Sequence, residues 1–148
     1  MTLLLELTVA SVMVGFTVAV HLLGIALLLA LLRRHRANAG SQRSAWHDSG
    51  GIVAAAGGLF VLHAIEIWAY AALYAWIGAV PDFETALYFS TATYTTVGYG
   101  DVVLARPWRI VGAIEGANGV ILLGWSTAFF VAVVSRIRFI ESEIGTTR

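Results

Sequence analysis

Three apolar stretches, residues 3–32, 51–80 and 107–137, dominate the chain, and each exceeds the roughly 20 residues that a helix needs to cross a bilayer. In hydrocarbon every backbone N–H and C=O must find a partner within the protein, which leaves helices and closed barrels, and runs of this length select helices. The rest of the composition agrees: 59% of residues are hydrophobic and 12% charged, against roughly 45–50% apolar and ~25% charged in soluble domains. Without a cysteine the chain can build neither a disulfide nor a thiolate metal site.

The basic residues orient the spans. There is no lysine, and Arg33, Arg34, Arg36 and Arg43 lie in the polar interval at residues 33–49, while Arg136 and Arg138 close the third span. Both regions are expected on the cytoplasmic side by the positive-inside rule. The N-terminus is then outside and the C-terminus, a short tail at residues 139–148, inside. Residues 1–32 lack a basic leading region and are too long for the apolar part of a secretory signal, so they are expected to remain as a helix. No nucleic-acid partner is expected; the bilayer is the expected partner.

Between the second and third spans, Pro81 and Pro107 bracket a segment that re-enters the membrane without crossing it. Residues 83–95 suit a short helix: Asp82 can cap it, Glu84 is favourable in its first turn, and Leu87, Tyr88 and Phe89 supply an apolar face. Beyond Thr95 a helix cannot continue, because Gly98 and Gly100 flank Tyr99 and point to backbone with positive φ. Irregular backbone at membrane depth survives only where protein or a water-filled path surrounds it. This stretch must therefore line something.

The run Thr95-Thr96-Val97-Gly98-Tyr99-Gly100-Asp101 resembles the selectivity filter of tetrameric potassium channels, and residues 50–138 are similar to the bacterial two-helix pore domain of that family. The resemblance implies an all-α membrane fold for the pore domain; the span at residues 1–32, which it leaves unexplained, adds an extra N-terminal helix and makes three transmembrane helices in all. It also implies an outer helix at 51–80, a pore helix at 83–95, a filter at 96–100 and an inner helix at 107–137. It further implies a homotetramer that passes K⁺, with carbonyls of Thr96, Val97, Gly98, Tyr99 and Gly100 replacing the ion's hydration shell. The supporting side chains would be Thr95, Asp101, Tyr88, Phe89 and Tyr94, with Val97 and Tyr99 packed on the last three. Trp108 opens the inner helix where several bacterial members also carry tryptophan.

Two positions depart from the family pattern. Some members pair the outer aspartate with a glutamate nine residues earlier; here that position is Ala92, so Asp101 needs a Trp, Tyr or water partner. The inner-helix hinge glycine falls one position early, at Gly119. Gly112, Gly116 and Gly119 suit close helix packing, and Gly119 also suits a bend that opens the inner mouth. Ile121, Gly124 and Ala128 would line the central cavity, while Ser126 and Thr127 are expected to bond back to their own helix.

Polar residues inside the spans form the remaining pattern. His63, Glu66, Tyr70 and Tyr74 recur along one face of the second span, and Glu115 and Asn118 share a face of the third. From a rise of ~1.5 Å per residue, Asn118 should lie level with Tyr70, Glu115 between Tyr70 and Tyr74, and His21 of the first span level with His63 and Glu66. Such residues bond helices together at about 0.6 kcal/mol per contact, or form a proton-sensitive gate, because histidine changes charge near neutral pH.

Enzymatic chemistry has no support. His21, His63 and the glutamates lack a His-x-x-x-His spacing, no nucleophile stands beside a base, and no phosphate loop is present. Two functions from different classes remain. One is a K⁺-selective channel with no small-molecule substrate beyond permeating cations; the other is a non-conducting scaffold or regulatory subunit that keeps the pore fold. The first span carries no row of arginines, so a charged-helix voltage sensor is not expected.

Overall fold

A computed structural model describes residues 3–38 and 45–146; Arg43 and the last two residues of the tail lie outside them. The chain forms four α-helices, α1 (Leu3–Asn38), α2 (Ala45–Trp76), α3 (Phe83–Tyr94) and α4 (Arg109–Thr146), with a 3₁₀ turn at Arg106–Trp108 leading into α4. Three of them, α1, α2 and α4, contain segments long and apolar enough to cross a membrane: Leu3–His35, Ser49–Trp76 and Arg106–Arg136. The helix α3 is the short one, and residues 96–100 pair with no strand.

Helix ends differ from the apolar runs for local reasons. The α1 helix carries Arg33, Arg34 and Arg36 on its last turns, inside the interval read as a linker, since no glycine or proline interrupts that stretch before Gly40. At the other side of the interval, α2 starts at Ala45. It ends at Trp76, short of the apolar run's end at residue 80, because Gly78 takes a φ of 65°. Ala79 N–H then returns to Tyr74 C=O at 2.9 Å and Gly78 N–H to Ala75 C=O at 3.3 Å, the paired bonds of a Schellman stop. The α4 helix runs on through most of the stretch read as a tail.

The start of α3 is fixed by Asp82. Its Oδ1 accepts from Thr85 N–H at 2.8 Å and its Oδ2 from the Thr85 hydroxyl at 3.0 Å, which holds its carboxyl below the usual carboxylate range. This cap satisfies one of the backbone donors that a helix start leaves over. Pro107 occupies the first turn of the 3₁₀ segment, where its missing N–H costs nothing.

α3 sits between α2 and α4, and α1 packs along both of those spans. One cluster of the core joins Ala10 of α1, Tyr70, Ala71 and Tyr74 of α2, Ala86 of α3 and Val111 of α4. A second joins Ile67, Tyr94 and Leu122. Close approach of α1 and α2 depends on small residues: a Cβ at Gly24 would stand 2.4 Å from Leu62, and one at Gly58 2.2 Å from Leu28. Much of each span's outer surface is apolar and uncovered, as with Leu4, Leu23, Phe60 and Val131.

Candidate functional site

The end of α3 leads directly into the glycine stretch. Thr95 N–H bonds to Thr91 C=O at 3.1 Å and Thr96 N–H to Thr93 C=O at 3.0 Å, after which Gly98 N–H reaches back to Ala92 C=O at 3.0 Å. Thr96 occupies the left-handed position that follows many helices, with φ 62°, where glycine is usual. Gly98 (φ 51°) and Gly100 (φ 78°) repeat the positive φ, while Val97 and Tyr99 do not. Positive φ thus falls on alternate residues. The threonine is the member that residue type does not announce, since a β-branched side chain there costs about 1–3 kcal/mol.

Side chains around this ribbon divide into held and uncovered. The hydroxyls of Thr91 and Thr95 donate back to the carbonyls of Leu87 and Thr91, each at 2.7 Å. Asp101 has found its partner: the Tyr88 hydroxyl donates to its Oδ2 at 2.8 Å, holding the carboxyl below its ordinary range and raising the phenol's own. Trp108 packs instead against the core cluster. Val97 is 52% and Tyr99 76% exposed, so within the single chain neither is buried against Tyr88, Phe89 and Tyr94, contrary to expectation. Phe89 meets Tyr74 edge to face, and the Tyr94 hydroxyl is engaged by Glu66.

Gly119 serves close approach. A Cβ there would stand 2.2 Å from the Tyr94 carbonyl oxygen, so α4 can lie against the end of α3 only with glycine at this position. Gly112 and Gly116 extend the same contact, facing Phe89 and Thr93. A Cβ at Gly124 would meet nothing within 4 Å, and with Ile121 and Ala128 this glycine belongs to an exposed face of α4.

The intramembrane polar residues form three linked clusters. Toward the N-terminal end of α4, buried Glu115 accepts from Tyr74 Oη at 2.7 Å and from the Ser90 hydroxyl at 2.5 Å. Next, Asn118 Nδ2 donates to Thr17 Oγ1 at 2.8 Å and to Tyr70 Oη at 3.5 Å. The third cluster centres on fully buried Glu66: His21 Nδ1 lies 2.9 Å from Oε1, His63 Nδ1 lies 3.1 Å from Oε2, and the Tyr94 hydroxyl donates to Oε2. Ser126 joins it, with Oγ 2.8 Å from His63 Nε2 and 3.5 Å from His21 Nε2. Every helix contributes to this seam.

The depths expected from helical rise agree with these pairs. Ser126 departs from expectation: whereas Thr127 bonds back to Leu123 C=O at 2.9 Å, Ser126 turns away from its own helix toward the histidines. Nor does sequence spacing announce that His21, His63 and Glu66 place ligand-type atoms within 4.8 Å of one another. They come from two helices, 42 and 3 positions apart, and only packing joins them.

Known proteins are similar to part of this chain. Residues 61–136 match the ion-channel family. A 60-residue stretch is 40% identical to the calcium-gated potassium channel TvoK of Thermoplasma volcanium. That stretch takes in 40% of this chain and 17% of the relative, so the chain spans only a small part of that protein's length. No solved structure matches. Since the family match takes in more than half of the chain, from the middle of α2 through α3 to the membrane-spanning part of α4, the chain belongs to the ion-channel family.

Proposed function

We infer that four copies of this chain form a K⁺-selective channel in a membrane, with Thr96, Val97, Gly98, Tyr99 and Gly100 as its filter. The observation that carries this reading is the positive φ on Thr96, Gly98 and Gly100, alternating with its absence on Val97 and Tyr99. Backbone that reverses hand at each residue turns successive carbonyls to one side, as a ring of oxygens around a dehydrated cation requires. K⁺ is here the transported substrate, and the backbone is the functional group.

Further support comes from what one protomer leaves bare. Tyr99 and Val97 are the kind of apolar surface that a neighbouring copy covers, and the exposed α4 face with Ile121, Gly124 and Ala128 suits a water-filled cavity below the filter. The relation to a potassium channel in the matched stretch points to the same ion. Arg33 and Arg34 at the end of α1 and Arg136 on α4 favour the cytoplasmic side for those ends, with Arg106 and Arg109 outside.

The test is flux. Purified chain in liposomes should pass Rb⁺ or K⁺ down its gradient and exclude Na⁺, and Gly98→Ala should abolish that flux, because alanine resists the left-handed backbone and alters the carbonyl row. Absence of flux, or flux indifferent to Gly98→Ala, would instead favour a non-conducting scaffold that retains the pore fold.

A further inference from the structure

The cluster around Glu66 contains a proton-counting problem. Where both histidines donate Nδ1–H to the Glu66 carboxylate, at 2.9 and 3.1 Å, a neutral imidazole keeps a bare lone pair on Nε2. Both Nε2 atoms face the same hydroxyl, that of Ser126, at 3.5 Å for His21 and 2.8 Å for His63. A serine hydroxyl has one hydrogen and two lone pairs, so it can satisfy two N–H donors but only one lone pair. Two neutral rings donating to Glu66 therefore leave one nitrogen facing an oxygen lone pair in the interior of the membrane. Glu66 also has no arginine partner among the described ion pairs, which are those to the two histidines.

A cation held by the Nδ1 atoms resolves both difficulties. We propose that His21 Nδ1, His63 Nδ1 and a Glu66 carboxylate oxygen form a binding site for a divalent transition-metal ion of the zinc type, tying α1 to the pore unit. Two imidazoles and one carboxylate are a zinc donor set, and neutral imidazole is the ligand form. Each ring then carries its proton on Nε2, and Ser126 Oγ accepts both, the outer hydrogen bond that orients metal-binding histidines. One ligand-type atom from each of the three residues lies within 4.8 Å of the other two, both Nδ1 atoms lie against the Glu66 carboxylate, and the Tyr94 hydroxyl stands 3.0 Å from His63 Nδ1. The cluster borders an open crevice of about 310 Å³ between α2 and α4, which His63, Ser126 and Thr127 line together with apolar residues such as Leu59, Phe60, Leu123 and Phe130. Tyr94 lies two residues before Thr96, so an ion here would sit against the root of the glycine ribbon.

The site is tested on the full chain, purified in detergent and stripped with a chelator, by titration with Zn²⁺ and elemental analysis, and with Co²⁺ as a spectroscopic probe. One Zn²⁺ per chain is expected, and Co²⁺ should show the intense visible bands of a tetrahedral site. His21→Gln and Glu66→Gln should each weaken Zn²⁺ binding at least tenfold. Ser126→Ala, which leaves all three ligands in place, should weaken it about 10–100-fold, while Glu115→Gln in the neighbouring cluster should leave it unchanged. The proposal is overturned if the native chain retains no more Zn²⁺ than Glu66→Gln protein. It is equally overturned if Co²⁺ gives the weak bands of a hydrated surface ion, or if Ser126→Ala binds as tightly as the native chain. Metal content is read independently of flux, so failure here and failure of the channel reading are separate results.

Discussion

The Tyr88 hydroxyl supplies Asp101 with the partner that Ala92 cannot, across 13 positions rather than nine. Because this bond favours the carboxylate, its contribution is fully present above the unfolded value near pH 4 and is lost as pH falls through the lower folded value. Tyr88→Phe should therefore reduce thermal stability of the protein at neutral pH, and the gap from the native chain should close as pH is lowered below about 4. Melting curves across that range check it. Gly119→Ala makes a second expectation at this scale: with Tyr94 carbonyl oxygen 2.2 Å from the new Cβ, overpacking should cost about 1–3 kcal/mol. Gly124→Ala, which meets nothing within 4 Å, should change stability by less than about 0.5 kcal/mol, and denaturant titration of the two variants separates them. Residue identity alone reveals Asp82 as a cap and Gly98 and Gly100 as special backbone, because both effects are local. It does not reveal Thr96 at φ 62°, which is imposed by the exit from α3 rather than by threonine's own preference.

At the scale of elements, the polar seam is a set of contacts between helices rather than a property of any one. Thr17 of α1 receives Asn118 of α4, so Thr17→Val leaves a buried amide short of its 2.8 Å partner. A loss of roughly 0.6–1.7 kcal/mol is expected, the range measured for hydrogen bonds between membrane helices, read from unfolding in detergent. The depth of these residues is legible in the sequence, because helical rise is constant: His21 meets Glu66, and Asn118 meets Tyr70. The rotation of each helix is not. Apolar residues surround α1 on every side, so no stripe says which edge turns inward, and Ser126 has a competing acceptor in its own helix. Helix ends are likewise blurred, since a glycine stop such as Gly78 sits inside an apolar run that would otherwise continue.

For the whole molecule, the absence of cysteine makes topology directly measurable. In right-side-out vesicles, Ala105→Cys should react with a membrane-impermeant maleimide and Arg34→Cys should not until the membrane is opened; the reverse pattern would invert the proposed orientation. The mass of the detergent-solubilised particle should correspond to four chains of 15.8 kDa, plus bound detergent. Within each chain, α1 turns Ala10, Thr17 and His21 inward and leaves Leu4, Val12, Leu23 and Leu27 outward. Every chain thus brings one apolar shield with it, in fixed ratio to its pore segment. The shield separates two kinds of freedom: the outward leucines can drift in sequence, or be redesigned for a thicker or thinner bilayer, without touching the buried polar seam or the contacts that hold the ribbon. If four copies conduct as proposed, a lineage of such chains could change its lipid environment while the glycine ribbon and the polar seam stay the same.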